Sequence, residues 1–187
     1  QLALNPSNYP LGNHLAIDSA DAFNDYTNTN DPIAVIRDCM SSIRANIGRY
    51  PNTMIIGEES YKAMINHPKI IDRIKYSGKY SINSQIIASL LDLEKIAVGM
   101  AVSSTNGVDF SDIWSDSIVL AYTDKNEKAN RNEYNPSYGY TFQRDGKPEI
   151  DTYYENGGKL KIIRNTDNYA VKITANVAGF LISNTNH

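Results

Sequence analysis

The stretch that decides the fold runs from Arg49 to Leu93: RYPNTMIIGEESYKAMINHPKIIDRIKYSGKYSINSQIIASLLDL. It predicts one short buried strand followed by three short helices. The strand is the apolar run over residues 52–56, which Pro51 introduces and Gly57 closes. The stretch contains no constellation of catalytic side chains, and its pattern is typical of a packed scaffold.

Helical spacing predicts the three helices that follow this strand. Their apolar side chains recur at steps of three and four: Tyr61, Met64 and Ile65; Ile70, Ile71 and Ile74; Ile86, Ile87, Leu90 and Leu91. Pro68 ends the first helix and opens the second, because its ring fixes φ and it has no N–H to donate. Asn83 is the predicted N-cap of the third helix.

A longer helix is predicted upstream, from Pro32 to Ile47. Asp31 supplies the N-cap oxygen, Pro32 suits the first helical position, and Gly48 supplies the stop. One apolar stripe follows the helix: Ile33, Ile36, Met40, Ile43 and Ile47, widened by Val35. The stripe covers barely two heptads, so it indicates a core-facing side rather than a coiled-coil seam.

The remaining sequence predicts strands and loops. Residues 1–30 form a loop-rich segment with four apolar anchors: Leu11, Leu15, Ile17 and Phe23. Strands are predicted over 95–102, 117–122, 138–143, 150–154, 160–164, 169–177 and 180–182. The strand 117–122 is apolar on both faces and should be central, whereas 169–177 alternates and should be half-exposed. Residues 123–137 are polar and predict an exposed, mobile loop. The fold class is therefore α+β.

Small residues occupy one face of the predicted strand 95–102. They are Ala97, Gly99 and Ala101, and we expect them to face a closely packed neighbour. A loop holding Trp114 follows this strand.

Composition limits the classes of protein to which the chain can belong. The 187 residues carry a formal net charge of -3, which argues against a dedicated nucleic-acid domain. Cys39 is the single cysteine, so an internal disulfide and a cysteine-based zinc site are excluded. No apolar run approaches the roughly 20 residues that span a bilayer. The chain begins at Gln1, and we expect a fragment or a processed product.

Three histidines are the candidates for acid–base chemistry. His187 is terminal, His14 lies in the loop-rich segment, and His67 precedes Pro68 at a helix junction, where a capping role is favoured. A serine triad is not excluded, but no nucleophile-elbow sequence supports one. Cys39 should be buried and inert. We therefore predict no catalytic residues.

Metal and cofactor sites are not predicted either. Asp109, Asp112 and Asp116 lie close together in GVDFSDIWSD, but their spacing does not match an EF-hand, and a solvated loop is favoured over a calcium site. Glu58 and Glu59 open a helix, where the helix dipole explains negative charge. Residues 157–158, Gly-Gly, form a turn rather than a phosphate loop.

Two surface patterns leave alternatives open. The basic run comprises Lys69, Arg73, Lys75 and Lys79. It is either a solvated helix face or a contact to a neighbouring subunit or phosphate. Trp114 and the 13 tyrosines either form a glycan platform or, as is more common, fill a core or a subunit interface.

Five pieces, taken in order, resemble the major capsid proteins of tailed bacteriophages: DPI, PNTMIIGEESYKAMINHPKIIDRIKYS, INSQIIASLLDLEKIAVGMAV, DIWSDSIVLAYT and PSYGYTF. The resemblance runs from about Asp18 to Ile182. It implies the HK-ninety-seven-like capsid fold, which encapsulins share, with a spine helix, a peripheral-domain sheet and an axial-domain mixed sheet flanked by short helices.

The resemblance also implies a division of the chain. Residues 1–50 would hold the first segment and the end of the spine helix in the peripheral domain, and residues 51–122 would build the axial domain. Residues 123–187 would form a loop and closing strands that return to the peripheral domain. The family's N-terminal arm and extended loop should lie upstream, and Phe23 stands where the family commonly has tryptophan.

The function that the resemblance implies is structural. The subunit would self-assemble through pentamers and hexamers into an icosahedral shell, with scaffold or decoration proteins as further partners. The shell would enclose DNA without sequence-specific binding or membrane contact, in the virion and, during assembly, in the bacterial cytoplasm. The alternatives are a virion decoration or glycan-binding module that uses Trp114, and a hydrolase that uses Asp109 and Asp112.

Overall fold

The computed structural model describes residues 2–26, 30–75, 82–124, 136–146 and 148–186. Within these ranges the chain is α+β, as predicted, with a five-stranded mixed sheet and three two-stranded sheets. The helices are α1 (Pro32–Ile47), α2 (Glu58–Asn66), α3 (Pro68–Ile74) and α4 (Ser84–Leu91). The four predicted helices are confirmed.

Local signals set both ends of α1. The Asp31 side chain accepts a hydrogen bond from the backbone N–H of Ile33 at 3.2 Å, as an N-cap does. At the other end Gly48 adopts φ 72°, the left-handed conformation that closes a helix, and its N–H donates to the carbonyl of Arg44. The predicted apolar stripe is buried at four of its positions: Ile33, Ile36, Met40 and Ile43.

The strands fall into four sheets. They are β1 (His14–Ala16), β2 (Thr53–Gly57), β3 (Lys95–Gly99), β4 (Val102–Ser103), β5 (Ser111–Asp112), β6 (Ile118–Ala121), β7 (Gly139–Gln143), β8 (Glu149–Glu155), β9 (Leu160–Thr166), β10 (Tyr169–Ile173) and β11 (Gly179–Ser183). The large sheet has the order β1-β11-β6-β2-β3, so the predicted central position of β6 is confirmed, and all four of its residues are buried.

The large sheet mixes parallel and antiparallel pairs. β6 pairs antiparallel with both β2 and β11. β2 pairs parallel with β3, and β1 with β11. A parallel neighbour requires a crossover connection, and α2, α3 and α4 provide the one between β2 and β3.

One face of this sheet builds the main core with the helices. Its inward side chains include Met54, Ile56, Ile118, Leu120 and Ile182, each fully buried or nearly so. They pack with the buried residues of the four helices. Ile71 of α3 does not join them and is exposed, contrary to the predicted apolar side of that helix.

The opposite face of the sheet is covered by the N-terminal segment. Tyr9 packs there with Val119 and Leu181, and its ring stacks on Tyr138 with centroids 5.9 Å apart. Of the four predicted anchors, Ile17 and Phe23 are buried, whereas Leu11 and Leu15 are exposed. Leu15 is exposed because it lies in β1, an edge strand of the sheet.

Two predictions about strand length and exposure are wrong. The strand predicted over 95–102 breaks after Gly99, and Val102 starts the separate strand β4. The strand predicted over 169–177 ends at Ile173, and it is exposed on both faces rather than half-exposed. The loop predicted over 123–137 falls mostly on residues 125–135, which lie outside the described residues.

Candidate assembly surface

Two of the three histidines considered as acid–base groups make contacts within the fold. His67 is buried between α2 and α3, where its Nδ1 accepts a hydrogen bond from the N–H of Lys69 at 3.3 Å. Burial lowers the pKa of the imidazole, and the ring of Tyr26 lies edge-on at 5.9 Å. His14 lies 3.0 Å from the hydroxyl of Ser183 in the neighbouring strand β11. His187 lies outside the described residues.

Cys39 does not have the surroundings of a nucleophile. It is buried in the core-facing side of α1. Burial raises the pKa of its thiol to about 12, so at neutral pH almost none of it is the reactive thiolate.

The three aspartates of 109–116 do not converge. Asp109 accepts a hydrogen bond from the amide of Asn106 at 2.7 Å, within an exposed loop. Asp112 lies in β5, and the backbone carbonyl of Asp116 accepts the hydroxyl of Thr185 at 2.8 Å. Over the residues that the structure describes, no group of three or more His, Cys, Asp and Glu side chains is placed to hold a metal ion.

Ion pairs and hydrogen bonds account for several charged residues of the helices. Arg73 lies 2.5 Å from the carboxylate of Asp31, which links α3 to the start of α1. Glu58 pairs with Lys62 one turn later at 2.8 Å. Glu59 accepts the hydroxyl of Ser115 at 3.0 Å. Lys79 lies outside the described residues.

The indole of Trp114 is packed rather than presented to solvent as a platform. It lies against Gly99 and joins the cluster of Tyr9, Val119 and Leu181. The predicted close packing of the small face of the strand is therefore confirmed at Gly99. Because this packing uses the indole, Trp114 is not presented as the centre of a glycan-binding platform.

Most of the exposed large apolar side chains lie in two segments. The first is the 100–113 loop, which contains β4 and β5. Its exposed apolar residues are Met100, Val102, Val108, Phe110 and Ile113. Exposed apolar patches of this kind mark surfaces that bind other proteins.

Internal hydrogen bonds fix the tip of the 100–113 loop. The side-chain oxygen of Asn106 accepts the N–H groups of Val108 at 3.0 Å and Asp109 at 2.9 Å. The hydroxyl of Ser104 accepts the N–H of Gly107 at 2.8 Å. Because these bonds order the backbone, Val108 and Phe110 are held exposed without help from a partner.

The second segment is the long hairpin, residues 139–173, built from β7 to β10. β7 pairs with β10, and beyond them β8 pairs with β9 in a register that joins Glu149 to Thr166 and Glu155 to Leu160. We call β8 and β9 the outer hairpin. On one of its faces Ile150 and Ile163 expose 68% and 63% of their surface. On the other face Tyr153 and Leu160 are also exposed.

An outer hairpin of this kind is poorly stabilised by itself. An isolated two-stranded hairpin is marginally stable in water. The outer edge of each of its strands also carries backbone N–H and C=O groups that no neighbouring strand pairs. One ion pair joins the strands, with Arg164 2.5 Å from Asp151, and this hydrogen bond raises the pKa of the guanidinium. Exposed apolar faces together with unpaired strand edges are typical of a surface that binds another protein chain.

Sequence reasoning predicted the strands of the long hairpin but not its exposure. The feature that could have indicated this exposure is the presence of apolar residues on both faces of the outer hairpin. Ile150, Tyr154 and Ile163 lie on one face, and Tyr153 and Ile162 lie on the other. A strand with apolar side chains on both faces is usually covered on both. Among the described residues, both faces of the outer hairpin remain largely exposed.

Among the residues that the structure describes, no helix is both long and apolar enough to cross a bilayer.

The chain is similar in sequence to a phage protein. It is 40% identical over 186 residues to the major capsid protein of Burkholderia phage BcepMu. The match covers 99% of this chain and 60% of that relative, so the chain spans about three-fifths of the length of the curated relative. No family model matches the chain.

Solved structures share the fold. A phage-related protein from Bordetella bronchiseptica RB50 superposes with a TM-score of 0.87 at 27% identity, over 98% of this chain and 60% of that one. A protein assigned as a prophage capsid protein of Escherichia coli CFT073 gives a TM-score of 0.50 at 14% identity, over 93% of this chain and 53% of that one. The second similarity concerns the fold alone.

These comparisons confirm two predictions. The α+β architecture is that of the HK-ninety-seven-like capsid fold, to which the sequence resemblance pointed. The predicted resemblance to phage major capsid proteins is confirmed, and this chain is a homologue of one of them over nearly its whole length.

Proposed function

We propose that this chain forms part of a phage or prophage capsid subunit, and that copies of the subunit associate into an icosahedral shell that encloses DNA. The observation that carries the proposal is the 40% identity to a phage major capsid protein over 99% of the chain. The role is structural rather than enzymatic.

The distribution of apolar surface supports self-association. The main core is closed by α1 to α4 on one face of the large sheet, and the N-terminal segment covers the other face. Most of the exposed large apolar residues lie instead on the 100–113 loop and the long hairpin. A well-packed body with exposed apolar segments suits repeated contacts between copies. Heterologous contacts close into a ring when the rotations between successive copies add up to a full turn.

The division into domains is part of this proposal. Residues 51–122 would form the axial domain around the symmetry axes, and α1 would be the end of a spine helix. The large sheet contains β1 from the first segment and β11 from the last, together with β2, β3 and β6. A common sheet would connect the peripheral and axial parts of the subunit firmly.

The partners and location follow from the same role. Pentamers and hexamers of the subunit would be the building units, and scaffold or decoration proteins would bind the assembled surface. DNA would be enclosed without base recognition, which suits a chain with a formal net charge of -3. The subunit would be found in the virion and, while shells form, in the bacterial cytoplasm.

The test is assembly of the protein expressed from its complete gene, with its scaffold protein present. Negative-stain electron microscopy should show capsomers or closed shells. A protein that remains monomeric under these conditions would contradict the proposal.

A further inference from the structure

Within the described part of the chain, the large sheet ends at β1, whose outer edge has no neighbouring strand. β1 is the first strand in the sheet order, and it pairs only with β11. The carbonyl of Asn13 and the N–H of Ile17 make backbone hydrogen bonds to β11, both at 3.0 Å. Residues along a strand bond alternately to one side and the other, so His14 and Ala16 direct their N–H and C=O groups away from β11. An open edge of this kind accepts a further strand.

A turn directly before β1 presents Leu11 to solvent. The N–H of Asn13 donates to the carbonyl of Pro10 at 3.0 Å, and Gly12 has φ 93°, a conformation that favours glycine. Leu11 lies at the tip of this turn and is fully exposed. Asn13 is buried, and its side-chain amide donates to the carbonyl of Gly179 at 2.8 Å. Because this anchor fixes the turn, little conformational freedom is lost when Leu11 meets a partner.

A pocket of about 210 Å³ lies beside the other end of β1. Leu15, Ile17 and Val35 contribute its apolar lining. A cavity of about 150 Å³ holds benzene, so this pocket has room for a leucine side chain. Asp18 also lines the pocket; it is exposed, and its carboxylate makes no capping hydrogen bond.

Two copies of β1 match each other about a two-fold axis at Leu15. An antiparallel register that sets His14 of one copy opposite Ala16 of the other pairs all the outward backbone groups of both residues. The same register sets Leu15, which is 37% exposed, against its own copy. The open edge therefore fits a symmetric contact that continues one five-stranded sheet into another.

This register also provides partners for the turn and the pocket. Counted outward from the axis, Leu11 of one copy lies beside residues 17–19 of the other, next to the pocket. Gly12 lies opposite Asp18, so a backbone N–H of the turn meets a carboxylate, as in a charge-assisted hydrogen bond. The two copies of Asp18 do not meet each other. This complementarity favours a second copy of the chain over an unrelated strand as the occupant of the edge.

We propose that β1 of one subunit pairs antiparallel with β1 of a second subunit about a two-fold axis, with Leu11 of each in the pocket of the other. This inference rests on the proposed function, because it names one contact between capsid subunits. The contact is isologous, so it joins subunits in pairs and does not build rings. It therefore suits the junctions between neighbouring pentamers and hexamers rather than the contacts within them.

Cysteine cross-linking tests the contact in shells of the protein expressed from its complete gene with its scaffold. L15C places two thiols across the axis at a non-hydrogen-bonded pair, where Cα atoms lie about 4.5 Å apart, within disulfide range. A16C is the matched control on the same exposed strand, because its two copies are diagonal neighbours about 7–8 Å apart, beyond that range. Cys39 is buried and should not react.

After mild oxidation, L15C should migrate mainly as a disulfide-linked dimer of the subunit on a non-reducing gel. A16C and the unchanged protein should migrate mainly as monomers. Shells of L15C without the dimer would show that the two strands do not meet. A16C cross-linked as completely as L15C would show that the proposed register is wrong. Either result would overturn the inference.

L11D tests the pocket without a thiol and decides the matter if L15C does not assemble. Leu11 is fully exposed, so the unfolding temperature should not change. The new carboxylate would lie beside Asp18 and Asp21 of the other copy, and the yield of shells should fall at least about tenfold. S41D makes the same charge change on the exposed side of α1 and should assemble as the unchanged protein does.

A normal yield of shells from L11D would overturn the inference. The capsid function is judged separately, from the unchanged protein. If the unchanged protein forms shells while the L15C or L11D result is negative, the capsid function stands and only this contact is rejected. If the unchanged protein forms no shells, the capsid function fails, and the inference that rests on it fails too.

Discussion

The indole of Trp114 lies directly on Gly99, so that a Cβ added at position 99 would lie 2.5 Å from Cγ and Cδ1 of the ring. Gly99 is the last residue of β3, and Trp114 follows β5. This contact joins the edge of the large sheet to the base of the 100–113 loop. It ties one of the proposed assembly segments to the rigid body.

G99A should therefore destabilise the fold by about 1–3 kcal/mol, the usual cost of adding atoms to a packed site. Urea denaturation measures the free energy of unfolding. The same substitution in a W114A background should cost much less, because the ring that it meets has been removed. Equal costs in the two backgrounds would contradict the contact.

Tyr9 is predicted to anchor the N-terminal segment through its hydroxyl. This hydroxyl donates to the carbonyl of Ala3 at 2.7 Å and accepts from Tyr138 at 2.7 Å. Y9F should cost about 1–3 kcal/mol of unfolding free energy, because its two partly buried partners lose their hydrogen bonds. Y154F changes an exposed hydroxyl and should cost nearly nothing.

Alkaline titration provides a second reading of the same site. Burial raises the pKa of Tyr9 far above its ordinary value, and burial also raises the pKa of Tyr138. Absorbance at the tyrosinate band should show a phenol that stays protonated well above the pH at which exposed tyrosines titrate. Loss of one such phenol in Y9F, with no change in Y154F, would identify Tyr9.

His67 should make stability depend on pH on the acidic side. Burial lowers the pKa of its imidazole below the unfolded value, so the folded state favours the neutral ring. The negative charge of Asp31 opposes this shift, and the positive charge of Lys69 adds to it. The stabilisation is therefore full above the unfolded pKa, near 6.5, and is lost as the pH falls through the folded pKa.

The matched variant for this prediction is H67N, because asparagine keeps a side-chain acceptor for the N–H of Lys69 but does not titrate. Urea denaturation at pH 7.5 and at pH 5 compares the two proteins. The unchanged protein should lose more unfolding free energy on acidification than H67N does. The same loss in both would show that the imidazole is not responsible.

Asp31 has two roles that substitution can separate. It caps α1 and pairs with Arg73. D31A should cost about 1–2 kcal/mol, most of it from the lost cap. D31N keeps a capping oxygen and should cost less than D31A, as should R73A, because a partly exposed ion pair contributes only about 0–1 kcal/mol. An R73A variant as unstable as D31A would contradict this division.

The helices could be predicted from the sequence because their signals are local. Asp31, Pro32 and Gly48 fix the ends of α1 within a few residues of the side chains that form it. The order of the large sheet could not be predicted in the same way. Its pairs join distant residues, such as Leu15 with Ile182, and depend on which surfaces remain to be covered after the helices have packed.

The candidate assembly surface was less predictable for a related reason. Alternation along Tyr169 to Val177 indicates a face that is apolar, but not whether the same chain covers it. In the structure Val171 remains exposed, and Phe142 and Ile163 do too. The local sequence carries no signal for whether another segment packs over these residues.

The most direct test of the central claim is a cryo-electron microscopy reconstruction of particles purified after expression of the complete gene with its scaffold. The account predicts a closed icosahedral shell in which each subunit shows the five-stranded sheet of β1, β11, β6, β2 and β3 with α1 packed on it. Absence of particles, or shells whose subunits lack this sheet, would contradict it.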